Sequence, residues 1–141
     1  MTKDYGSSVG VMYRTLWPDN IDDSHVTLMY LGLTDNATYT FEELKEAVSS
    51  ANFEDIGEVP IVGPEFFGPN EDIPVFLLEK TIKLSLARAK LSLALSKIGA
   101  FNASEFDFSP HITVDSHDIE APDSVFIGTP EVWWGDIHAA S

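Results

Sequence analysis

The chain has 141 residues, 44% hydrophobic and 22% charged, with no cysteine; eight Lys plus Arg against 23 Asp plus Glu leave a formal charge of −15. That length suits one domain able to bury roughly two thirds of its unfolded surface, and the lack of Cys excludes a disulfide framework, a thiolate nucleophile and a Cys-ligated zinc. The acidity repels polyanions and argues against a nonspecific nucleic-acid coat, while the apolar content places it on the surface of a folded domain.

In chain order, Val9 to Leu16 reads as a strand closed by Trp17-Pro18-Asp19-Asn20, a run of turn formers. A second strand starts at His25 and stops at Gly32. Thr40-Phe41-Glu42-Glu43 has the form of a capping box and predicts a helix from Phe41 to about Ala51, with Phe41, Leu44, Val48 and Ala51 at helical spacing. Val59 to Phe67 and Pro74 to Glu79 read as a hairpin turned by Gly68-Pro69-Asn70-Glu71-Asp72. From Thr81 to Ile98 the pattern is helical, with Leu84, Ala87, Leu91, Leu95 and Ile98 on one face and Gly99 as the stop. Leu86 and Leu93 fall off that face and are read as widening the buried stripe, the rival reading being a partner surface. Short strands follow near His111 to Asp115, Val125 to Ile127 and Val132 to Trp134. The class is α+β, expected as one domain over residues 1–141 with two lobes, roughly 1–68 and 69–141.

No apolar stretch approaches the ~18 residues of a membrane span, and Met1 to Ser8 has no apolar run behind a basic start, so a cytoplasmic protein is expected. No Walker-type phosphate loop is present, and no metal or cofactor is expected: His111, Asp115 and His117 lack an organised ligand spacing. Asp19-Asn20-Ile21-Asp22-Asp23 resembles the start of a calcium loop but has Ile21 where an oxygen ligand belongs, and is read as a solvated turn.

The most informative feature is a tetrad that occurs twice, His25-Val26-Thr27-Leu28 and His111-Ile112-Thr113-Val114. In a strand His25 and Thr27 share one face while Val26, Leu28 and Tyr30 take the other, and His111 and Thr113 pair likewise. Residues two apart lie about 6.5 to 7 Å apart, so an imidazole and a hydroxyl can bracket one phosphate. Two such strands would oppose two His as base and acid across a P–O bond. His117 and His138 lack the Thr partner and are read as surface residues.

These tetrads resemble the HxTx motifs of the two-histidine (2H) phosphoesterase superfamily, which includes the LigT-like RNA 2′,3′-cyclic phosphodiesterases. Ser24 to Gly32, with its trailing Tyr-Leu-Gly, is similar to the first motif of that family, and Phe108-Ser109-Pro110-His111-Ile112-Thr113-Val114 to the second. The resemblance implies two antiparallel sheets flanked by helices with a central cleft. It also implies metal-independent phosphodiester cleavage with His25, Thr27, His111 and Thr113 as catalytic residues. In size the chain resembles the compact phage nucleases of the family that cleave cyclic oligonucleotide immune signals (anti-CBASS). Many RNA-handling members are longer and more basic, so the expected partner is a small cyclic nucleotide or cyclic oligonucleotide, not long nucleic acid. Rival expectations are a phosphodiesterase acting only on 2′,3′-cyclic phosphates and a non-catalytic protein that sequesters a cyclic nucleotide.

Base binding needs aromatic platforms. Trp17, in a turn, and Tyr13, beside the first motif, are the expected substrate-binding residues, with Phe66, Phe67, Trp133 and Trp134 as weaker candidates. Lys80, Lys83, Arg88, Lys90 and Lys97 read as a solvated helix face, with Lys80 or Lys83 placed to reach a phosphate.

Overall fold

In the computed structural model, residues 8–18, 24–51, 56–104, 107–135 and 137–140 are described, the last four as backbone alone. The elements are β1 (Ser8–Thr15), β2 (His25–Leu33), α1 (Phe41–Ser50), β3 (Gly57–Phe67), β4 (Ile73–Leu78), α2 (Ile82–Ser96), β5 (His111–Thr113), β6 (Ser124–Trp134) and β7 (Ile137–Ala140). The class is α+β, as expected. The first helix starts where its capping box places it: Thr40 Oγ1 accepts from the Glu43 N–H at 3.1 Å, and the Glu43 carboxylate accepts from the Thr40 N–H at 2.9 Å. Val125 to Ile127 and Val132 to Trp134, expected as two strands, form one, because Gly128-Thr129-Pro130 stays extended across a register shift against β1.

All strand pairs are antiparallel, and the hydrogen-bonded order is β2-β1-β6-β3-β4-β5, with β7 beside β6. The pairings fall in two antiparallel sets, β2-β1-β6-β3 with β7 and β3-β4-β5, within this one strand order. The 11-residue β3 joins them, pairing β6 through Gly57 to Pro60 and β4 through Ile61 to Phe67. In the strand order β6 lies between β1 and β3. β1 therefore reads as nearly continuous apolar sequence: flanked by β2 and β6, it has Val9, Val11, Met12 and Tyr13 all buried.

Both helices contribute to one core. Leu44, Ala47 and Val48 of α1 and Leu84, Ala87, Leu91 and Leu95 of α2 join the strand residues Val9, Val26, Leu28, Val59, Ile112 and Val132. The stripe on α2 does not widen as expected: Leu86 is 54% and Leu93 67% exposed, pointing away from the sheet. Among the described residues no helix is long and apolar enough to cross a membrane.

Candidate functional site

β2 and β5 stand at opposite ends of the strand order, yet their Cα atoms come within 8 Å of each other. The sheet curls until its two ends meet, and this curvature brings together the strands that carry the two tetrads, 86 positions apart in sequence. Strand alternation then sets the side chains. Val26 and Leu28 are buried in the core while His25 and Thr27 are half-buried on the opposite face; Ile112 is buried while His111 is half-buried and Thr113 exposed.

A cleft of about 870 Å³ opens here, with Thr27 and His111 in its lining beside Tyr30, Phe66, Phe67 and Phe108. His25 and Thr113 are not among the lining residues. Tyr30 was expected opposite Thr27. Pairing with β1 passes from Met12↔Thr27 to Val11↔Met29, so Leu28 is an extra residue in β2; the alternation slips by one and Tyr30 joins the wall that holds Thr27.

The His111 ring is held from two sides. Its Nδ1–H donates to the Ser109 carbonyl at 2.8 Å, which fixes the tautomer with the proton on Nδ1. The Phe67 ring stands edge-on to it at 4.6 Å. The preceding turn is itself anchored, because the Leu78 N–H donates to the Pro110 carbonyl at 2.9 Å. On the other strand, His25 is the β1 partner of Arg14, and cross-strand partners share a sheet face. Arg14 forms an ion pair with Glu131 of β6 on that face. Nothing local marks this pair in the sequence, since its members are 117 residues apart.

The two expected stacking residues lie elsewhere. Tyr13 is 1% exposed and sits in the core, where loss of hydration pushes its hydroxyl pKa up to about 12. A ring enclosed in this way cannot receive a base, which corrects its assignment as substrate-binding. Trp17 is half-buried, packs edge-on against Phe76 at 5.3 Å and is not among the cleft-lining residues. The aromatic rings at the cleft are instead Tyr30, Phe66, Phe67 and Phe108. Trp133 and Trp134 are structural: the Trp133 indole N–H donates to Ser8 Oγ at 2.9 Å, and Trp134 meets Tyr39 and Phe41.

His117 is no plain surface residue. Its Nε2–H donates to the Val75 carbonyl at 2.9 Å and its ring lies edge-on to Phe66 and Phe76. The side chain of His138 and residues Asp19 to Asp23 lie outside the described residues. Among the described residues no three His, Asp or Glu side chains are grouped to hold a metal ion.

The basic residues of α2 also separate. Lys83 and Lys90 flank a shallow dent with Ile56 and Leu86, away from Thr27 and His111. Arg88 lines the cleft, where its Nε–H donates to the Leu28 carbonyl at 3.1 Å and its guanidinium lies 5.0 Å from the centre of the Phe108 ring. Its position next to Ala87, on the edge of the buried stripe, was the available signal.

No protein-family model matches the chain, and no curated protein matches it by sequence. A solved structure described as a phosphoesterase is similar to it in fold, with a TM-score of 0.54 and 15% sequence identity over 89% of this chain and 88% of that one. The chain thus has the fold of a phosphoesterase over nearly its whole length.

Proposed function

We propose that this protein is a metal-independent phosphodiesterase of the two-histidine type, cleaving 3′–5′ bonds of a small cyclic nucleotide or cyclic oligonucleotide. The observation that supports this reading is the approach of β2 and β5, with Thr27 of one tetrad and His111 of the other lining one cleft, in a fold similar to that of a phosphoesterase. In the proposed reaction one neutral imidazole, from His25 or His111, takes the proton of a ribose 2′-OH. The oxygen attacks the neighbouring phosphorus in line, and the other imidazole, protonated, gives its proton to the departing 5′-oxygen. The products are a 2′,3′-cyclic phosphate and a free 5′-hydroxyl. Thr27 and Thr113 donate to the non-bridging oxygens, and the cleft rings supply stacking in place of Tyr13. Trp17, beside Phe76, is kept as a contact for a ligand that extends past the cleft. Resemblance to the compact phage nucleases supports an immune signal as the cyclic oligonucleotide.

The test is to incubate the protein with cyclic di- and trinucleotides and with 2′,3′-cyclic mononucleotides, and to weigh the products. The expected first product is a linear nucleotide ending in a 2′,3′-cyclic phosphate, with none from an analogue lacking the attacking 2′-OH. Rapid cleavage of the 2′-deoxy analogue overturns the mechanism. Turnover of 2′,3′-cyclic mononucleotides alone overturns the substrate class. EDTA is expected to leave the rate unchanged.

A further inference from the structure

Two of the eight basic side chains of this acidic protein converge on one ring. Arg88 Cζ lies 5.0 Å and Lys80 Nζ 6.0 Å from the centre of Phe108. Among the described residues neither forms a salt bridge with a carboxylate. The carboxylates described in the cleft lining, Glu71 and Asp107, form no salt bridge with either. Arg88 is also held rigidly. Its Nε is committed to the Leu28 carbonyl and its flat face to Phe108, so the four Nη hydrogens form the remaining donor edge, in a side chain that lines the cleft. Bidentate oxyanion binding uses such a pre-organised fork.

Phe108 lies three residues before His111, a length of chain that reaches at most ~10 Å. Arg88 bonds the carbonyl of Leu28 at the end of the first tetrad, so its donor edge lies beside the tetrads, near enough for the next phosphate of the same nucleotide chain. We infer that Lys80, Arg88 and Phe108 form a second phosphate subsite, so that the preferred substrate carries a phosphate adjacent to the scissile one. This rests on the proposed phosphodiesterase reading and narrows it: a cyclic dinucleotide or larger ring fits, and a lone 2′,3′-cyclic mononucleotide leaves the subsite empty.

Lys80 is exposed, outside the cleft lining and in contact with Phe108 alone among the described rings, so Lys80→Gln tests the subsite at a surface position. Arg88→Lys, which keeps the charge and removes the fork, is the companion variant. Steady-state kinetics on a cyclic dinucleotide should show KM raised about three- to tenfold in Lys80→Gln with kcat unchanged. The salt slope of log(kcat/KM) should be shallower by about one unit or less. On a 2′,3′-cyclic mononucleotide the variant should match the parent. Arg88→Lys, which also removes the Nε–H bond to Leu28, should raise KM for the cyclic dinucleotide by a larger factor.

Equal effects on both substrates, or none on either, overturn the subsite while the phosphodiesterase reading stands. If the parent protein cleaves neither substrate, that reading falls by itself. Calorimetry with a 2′-deoxy cyclic dinucleotide then decides the subsite separately. Weaker binding to Lys80→Gln supports it, and unchanged or absent binding overturns it.

Discussion

His111 has its tautomer set by the Ser109 carbonyl and its ring packed against Phe67, and the proposed mechanism asks such a fixed geometry of its acid or base. His111→Ala and His25→Ala should each lower kcat by about 10²- to 10⁴-fold without changing the circular-dichroism spectrum, because neither imidazole can serve as both acid and base in one step. The rate should also be bell-shaped in pH, since one imidazole must be neutral while the other is protonated. Thr27→Ala should cost less. Retention of near-parental activity by either His variant would remove the two-histidine mechanism. Tyr13 supplies a different residue-scale test. Burial raises its hydroxyl from the ordinary 10.0 to about 12, so the folded state holds a proton that the unfolded state releases. The associated stability, on the order of 2 to 3 kcal/mol, is fully present below pH 10 and is lost as pH rises toward 12. Urea melts at pH 8 and pH 11 should show this loss in the parent chain and a smaller one in Tyr13→Phe.

At the scale of elements, the β1 strand is pinned between its neighbours at Gly10. A methyl group added there would meet the Trp133 ring of β6 and lie 2.6 Å from the Met29 carbonyl of β2, so neither side can yield without moving backbone or a large ring. Gly10→Ala is therefore expected to destabilise the fold by about 1 to 3 kcal/mol and to lower Tm by several degrees. An unchanged melting curve would mean that β1 and β6 can separate without cost. The same pairing positions function, since the extra residue in β2 at Leu28 turns Tyr30 toward the cleft and leaves the Leu28 carbonyl as the acceptor for Arg88.

For the molecule as a whole, the charge of −15 opposes an anionic ligand at long range and leaves recognition to groups that touch it. Screening confines that field to about 8 Å at physiological ionic strength. Long RNA draws its affinity from many Lys and Arg contacts, and eight basic residues offer few. Cleavage of long single strands or tRNA should therefore be slow compared with cyclic dinucleotides at equal concentration of scissile bonds, and slower still as salt is lowered. Faster cleavage of structured RNA would assign the cleft to RNA processing instead.

The sequence by itself determined what depends on neighbours along the chain. The Thr40 cap, the helical stripe from Leu84 to Leu95, the hairpin at Gly68 and the alternation that puts His25 with Thr27 and His111 with Thr113 are all local. Each follows from backbone geometry within a few residues. Only the tertiary structure decided which strands meet. Long β3 joins the two antiparallel sets of strands in one order, and the curl of that order brought β2 to β5. It also decided which aromatic rings are free to touch a ligand: Tyr13 lies beneath a layer of neighbours while Phe66, Phe67 and Phe108 line the cleft. Exposure and pairing over 60 to 117 residues, as for Arg88 with Leu28 and Arg14 with Glu131, belong to the packing of the whole chain and leave no periodic signal in its sequence.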